Sequence, residues 1–192
     1  NAATGEKEAM LYEEKHPKYV EPQHPILFLP WDDTQFIYQS QRDGYNHLYL
    51  FNTDGQEIKQ LTSGEWLVKD IVGFNEKSKE VIIMSTEISP LQSNAYAVSV
   101  KNGKRHLIGA SEGVHRVQLS ASGKYVIDNY TAHNVARNIN ILPVSGKGKS
   151  HNLLTATHPM EAYNVPEITL GTIKAADGKT DLYYRLVKPV NF

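Results

Sequence analysis

Residues 47–66, HLYLFNTDGQEIKQLTSGEW, hold the pattern on which the architecture turns. An apolar strand from His47 to Phe51 meets the turn residues Thr53-Asp54-Gly55, and a second short strand ends at Leu61-Thr62. The same phrase returns as NAYAVSVKNGKRHLIGASEG (94–113) and NINILPVSGKGKSHNLLTAT (138–157). Matching Tyr49, Tyr96 and Asn140 sets a period of about 44 to 47 residues, the length of a four-stranded propeller blade.

Each phrase is preceded by another apolar strand: TQFIYQSQRDG from Thr34, KEVIIMSTE from Lys79 and KYVIDNYTA from Lys124. β-Branched and aromatic residues dominate, and no stretch of helical length keeps a 3.6-residue period. The chain is therefore expected to be all-β: part of a β-propeller, with about three four-stranded blades. The segment around Gly5 and Glu8 to Tyr12 is expected to be the tail of a preceding blade. From Pro166 the repeat stops, and residues 167–192 read as a hairpin around Ala176-Asp177-Gly178 that leaves the propeller. The expected division is residues 1–165 as propeller and 166–192 as the first strands of something else.

Composition excludes more than it identifies. A net charge of -1 over 192 residues gives no electrostatic attraction to nucleic acid, so no nucleic-acid partner is expected. The longest compact apolar run, Val81-Ile82-Ile83-Met84, is far below the roughly 20 residues a membrane-spanning helix needs. No cysteine is present, which removes disulfides, thiolate ligands and a thiol nucleophile. The opening Asn1-Ala2-Ala3-Thr4-Gly5 carries neither an initiator methionine nor a leader pattern and reads as the interior of a longer protein.

Four motifs invite chemical readings. Gly109-Ala110-Ser111-Glu112-Gly113 spells G-x-S-x-G, the nucleophile elbow of α/β-hydrolases, but that elbow needs a helix immediately afterwards. Here VHRVQLSASGKYVI from Val114 reads as strand, turn, strand, and Ser111 falls where Ser63-Gly64 falls one repeat earlier, in a link between blades. The eight histidines show neither H-E-x-x-H nor an i, i+4 pair, so no metal or other cofactor is expected. Lys101 to Arg105 is expected to be a solvated hairpin turn, and Asp54-Gly55 and Asp177-Gly178 are turns without the ligand pattern of a calcium loop.

RDGYNHLYLFNTDG, LTSGEW, STEISPL, HRVQLSASGKYVID, YVEPQHPILFLP and PEITLGTIKAADGKTDLYYRLVKP resemble the late propeller blades of bacterial dipeptidyl peptidase IV of the Bacteroidetes type, in the prolyl oligopeptidase superfamily. The resemblance runs from Thr4 to Phe192. It implies an eight-bladed propeller packed on an α/β-hydrolase domain, in a serine exopeptidase that releases X-Pro dipeptides from peptide N-termini. LYYRLVKPVNF would then open the hydrolase domain, and the Ser-Asp-His triad would lie beyond Phe192, so no catalytic residue is assigned here. The partners implied are the chain's own hydrolase domain, the remaining blades and a peptide beginning X-Pro. Homodimerisation and a periplasmic or secreted location are also implied for the parent.

The family holds the substrate amine with paired glutamates on a propeller insertion. Tyr12-Glu13-Glu14 has that look, but its surroundings match the last strand before the YVEP connection, so Glu13 and Glu14 are read as solvated strand-end charges. The connection itself, stiffened by Pro17, Pro22 and Pro25, borders the substrate cavity in relatives. Tyr19 and Glu21 are the candidate substrate-binding residues on it. The competing reading is a stand-alone periplasmic propeller binding peptide or carbohydrate without hydrolase activity. The exit through LYYRLVKPVNF argues against it, since a closed propeller would finish on its last blade strand.

Overall fold

The computed structural model describes residues 3–6, 10–20, 25–133 and 135–189. Its fourteen strands are β1 (Leu27–Leu29), β2 (Asp32–Ser40), β3 (His47–Asn52), β4 (Glu57–Gln60), β5 (Val68–Asn75), β6 (Glu80–Ser85), β7 (Asn94–Ser99), β8 (Arg105–Ile108), β9 (Val114–Leu119), β10 (Tyr125–Ala132), β11 (Val135–Pro143), β12 (His151–Thr155), β13 (Ile168–Lys174) and β14 (Asp181–Val187). No helix occurs among the described residues. Three antiparallel sheets keep chain order, β1-β2-β3-β4, β5-β6-β7-β8 and β9-β10-β11-β12, and β13 pairs with β14 alone. The three-blade expectation holds, and each blade is one meander. The chain divides into two compact units, Asn1–Ala156 and Thr157–Phe192, of which the first carries the three sheets and the second the hairpin.

The central strands of the first two blades read as unbroken apolar runs because both their faces are covered, and the period of two then sorts alternate side chains between two cores. On β6, Val81 and Ile83 pack toward the first sheet with Leu48, Leu50, Trp66 and Val68, while Ile82 and Met84 pack toward the third with Val126 and Val144. On β7, Tyr96 and Val98 join the first cluster, and Ala95 and Ala97 the second. Fully burying one such aliphatic side chain is worth roughly 1.5–3 kcal/mol.

The far face of the first sheet, Phe36, Tyr38, Tyr49 and Phe51, is covered by Leu11, Tyr12 and Ile26. Leu11 and Tyr12, in no ladder rather than in a strand of a preceding blade, act here as an apolar lid, with the Tyr12 ring 4.6 Å from Tyr38 and 5.1 Å from Phe51. On the far face of the third sheet, Tyr125, Ile127 and Leu154 stand exposed.

Candidate functional site

The links between the three sheets are held by one polar side chain at the start of the third strand of the first and second sheets. His47, at the head of β3, places Nδ1 3.1 Å from Thr62 Oγ1 and Nε2 2.9 Å from the Gly64 carbonyl, gripping the link to the second blade. One repeat later Asn94 heads β7, and its amide donates to the carbonyls of Ala110 and Ser111 at 3.4 and 3.3 Å. Backbone bonds recur with the same phase: Val68 N donates to Asn46 O, and His115 N to Ser93 O, each at 2.8 Å.

Ser111 therefore lies on an exposed link between β8 and β9, as its sequence context requires. Downstream, His115 and Asp128 complete the set of residue types found in a serine hydrolase. The geometry rejects a triad. His115 is 1% exposed, its Nδ1 lies 3.0 Å from both Asp128 carboxylate oxygens, and its Nε2 lies 3.0 Å from the Glu112 carbonyl. A general base must offer a nitrogen to the nucleophile, and this ring has spent both. Stacked on Tyr130 at 4.6 Å, it pins the link to the third blade instead. Sequence reasoning missed this pair because it forms diagonally across the β9–β10 ladder, where His115 faces Tyr130 and Asp128 faces Val117.

The link that carries the two predicted binding residues begins beside an aromatic cage. Arg42 lies over the Tyr49 ring at 4.1 Å, pairs with Glu57 at 2.5 Å and donates to the Tyr12 hydroxyl at 3.0 Å. The Tyr12 hydroxyl donates to Glu14 at 2.6 Å, and Ser40 donates to the other Glu14 oxygen at 2.8 Å. Burial, and then that bond to Glu14, push the Tyr12 phenol up to about 12. Glu14 is thus a half-buried acceptor that fastens the lid, which corrects its reading as a solvated charge; Glu13 is exposed and pairs with Lys15 at 2.8 Å. Lys101 to Lys104 form an exposed turn, as expected, and Arg105 begins β8. Although it lies in the basic hairpin, it grips Glu87 through two nitrogens and sits 5.0 Å from the Trp66 ring centre, and the Glu87 bond holds its guanidinium above its usual range.

Past the cage, His16 Nδ1 accepts from the backbone of Lys18 and Tyr19 at 3.2 and 3.3 Å and turns the chain. Tyr19 is 68% exposed, while Glu21 lies outside the described residues.

A groove of about 690 Å³ opens between β5 and β9, the first strands of the second and third sheets. Lys69, Asp70 and Arg116 supply its charge, and Ile71, Met84 and Val117 its apolar lining. His115, which also lines it, has both ring nitrogens engaged.

The family model for the dipeptidyl peptidase IV (DPP IV) N-terminal region matches residues 1–137. Dipeptidyl peptidase 4 of Arthroderma otae is 31% identical over 160 residues, covering 80% of this chain and 20% of the relative. That of Trichophyton equinum is 28% identical over 159 residues, with the same coverage. The chain thus spans about a fifth of the length of these relatives. Among solved structures, a protein described as a dipeptidyl aminopeptidase IV from Bacteroides ovatus superposes with a TM-score of 0.88 at 50% identity, over 100% of this chain and 30% of its own. Porphyromonas gingivalis dipeptidyl peptidase 4 gives 0.76 at 25% identity, over 87% and 24%.

Proposed function

The chain belongs to the dipeptidyl peptidase IV N-terminal region family, and from that premise we propose that its parent is a serine exopeptidase releasing X-Pro dipeptides from peptide N-termini, with this chain as non-catalytic chamber wall. The observation that carries the reading is the passage from three repeated four-stranded blades into a lone hairpin, β13–β14, in a chain that spans about a fifth of peptidase relatives. In this proposal residues 1–165 are propeller and 166–192 lead into the hydrolase domain, which supplies the Ser-Asp-His machinery.

A propeller wall contributes confinement and orientation. It admits a flexible peptide end, excludes folded protein, and lets binding energy remote from the scissile bond position the reacting carbonyl. Tyr19 and Glu21 are the proposed contacts from this chain: an exposed aromatic face to pack on the peptide, and a carboxylate to accept from its amides or amine. Replacing both by alanine in the longer protein is expected to lower kcat/KM at least tenfold on X-Pro substrates; an unchanged value removes them from the site. A periplasmic or secreted location and a homodimeric parent complete the proposal.

The deciding experiment is hydrolysis of a chromogenic Gly-Pro dipeptide by the longer protein and by this chain. Cleavage by the longer protein alone is the expected result. Cleavage by this chain would reinstate Ser111 as a nucleophile, and a folded longer protein inactive on a panel of dipeptidyl substrates would favour a binding propeller.

A further inference from the structure

The lid over the first sheet is held by more than its apolar contacts. Burial against Phe36, Tyr38, Tyr49 and Phe51 is non-directional, and by itself it would let Leu11 and Tyr12 settle in several positions. Direction comes from a closed ring of hydrogen bonds. Arg42 donates to the Tyr12 hydroxyl through one nitrogen and to Ser40 Oγ, at 3.2 Å, through another. Each hydroxyl in turn donates to Glu14, Tyr12 to one carboxylate oxygen and Ser40 to the other. Both oxygens are thereby engaged, and the guanidinium balances the carboxylate through two hydroxyl relays. Ser40 ends β2 and is buried, so the ring ties Glu14 to the first blade at one point.

Just beyond this clasp the chain turns. His16 Nδ1 accepts from the backbone N–H groups of both Lys18 and Tyr19, which places the ring proton on Nε2. Pro17, inside the turn, holds its own φ at about −65°. His16, Pro17 and Lys18 are all exposed, so this turn adds nothing to a core. What it supplies is geometry. The clasp fixes where the connection leaves the first blade, and the turn fixes the backbone that presents Tyr19.

We propose that Tyr12, Glu14 and His16 are positioning residues for peptide binding, acting through Tyr19 and not by touching the substrate. The inference rests on the reading of Tyr19 as a peptide contact. A misplacement of about 1 Å remote from the chemistry can cost on the order of 10²-fold in rate. Because Tyr19 would hold the bound peptide alike in ground and transition states, loosening it should appear in KM with kcat kept.

The test is steady-state hydrolysis of a chromogenic Gly-Pro substrate by the longer protein. Tyr12→Phe keeps the ring against Tyr38 and Phe51 and deletes only the hydroxyl; His16→Ala deletes the turn's acceptor, and His16→Asn returns an acceptor oxygen. Each is measured alone and combined with Tyr19→Ala, and thermal melts verify that the variants are folded. Tyr12→Phe and His16→Ala are expected to raise KM at least about fivefold with kcat within about twofold, and His16→Asn to restore the parental KM. Neither should raise KM further once Tyr19 is alanine. An unchanged KM in Tyr12→Phe and His16→Ala, where Tyr19→Ala raises it, overturns the positioning role and leaves the peptidase reading standing. A rise that persists undiminished in the Tyr19→Ala background assigns the network to stability alone and overturns it equally. If Tyr19→Ala changes nothing, or the longer protein is inactive, the reading of the site falls and this inference with it.

Discussion

Replacing His115 by alanine tests whether the buried pair with Asp128 is a structural pin. Asp128 is 2% exposed, and the side-chain hydrogen bonds it accepts come from His115 Nδ1. Leaving such an acceptor buried and unpaired costs about 1–3 kcal/mol if it can neutralise, and about 3–5 kcal/mol as an uncompensated charge. Losing the stack on Tyr130 adds about 0.5–1.5 kcal/mol. A total between about 1.5 and 6.5 kcal/mol is expected, at the upper end if the carboxylate stays charged, read as a lower urea midpoint at unchanged slope. His115→Ala combined with Asp128→Ala should cost about 1–3 kcal/mol less than the two singles added together, because the second substitution removes the stranded carboxylate. Hydrogen exchange should accelerate first at Glu112 to His115, where the pin is lost. A single-variant cost below about 1 kcal/mol, or strict additivity in the double variant, would refute the reasoning.

The link itself supplies a paired prediction. Gly113 has φ +92, and a Cβ there would lie 2.4 Å from the Thr131 carbonyl, so Gly113→Ala should destabilise by more than about 1 kcal/mol, whereas Ser111→Ala should stay within about 0.5 kcal/mol; equal effects in thermal melts would contradict the assignment of this motif as a turn. With the folded Tyr12 phenol raised from 10.0 to about 12, the folded state holds that proton more tightly than the unfolded one, so its contribution is complete below pH 10 and is lost between pH 10 and 12. Tyr12→Phe should remove this phenol from the late ultraviolet titration, and a curve unchanged above pH 11 would count against the buried hydroxyl. The exposed side chains of Tyr125, Ile127 and Leu154 on the third sheet predict concentration-dependent self-association of this chain, reduced by Ile127→Lys, with sedimentation velocity as the measure and a monomer at all concentrations as the contrary result.

The strands and blade count were legible in the sequence because they rest on local physics. Period-two side-chain alternation sends Val81 and Ile83 one way and Ile82 and Met84 the other. Turn residues such as Asp54-Gly55 and Ser122-Gly123 close hairpins between near neighbours, and a repeated phrase repeats its fold. The same locality was enough to demote Ser111, since the residues after it alternate as a strand. The polar constellations were not legible, because each depends on which residues meet across ladders and between sheets. His115 reaches Asp128 diagonally across one hairpin, Glu80 meets His106 over the top of β7, and Glu14 accepts from Ser40, which belongs to a different stretch of chain. Hydrophobic pattern specifies a strand from its own residues alone, whereas a hydrogen-bonded or ligand-holding group exists only once register has placed its partner within about 3 Å. For this protein the blades and their order were written in the chain, while packing between sheets selected which of its charged and polar side chains became pins and cages.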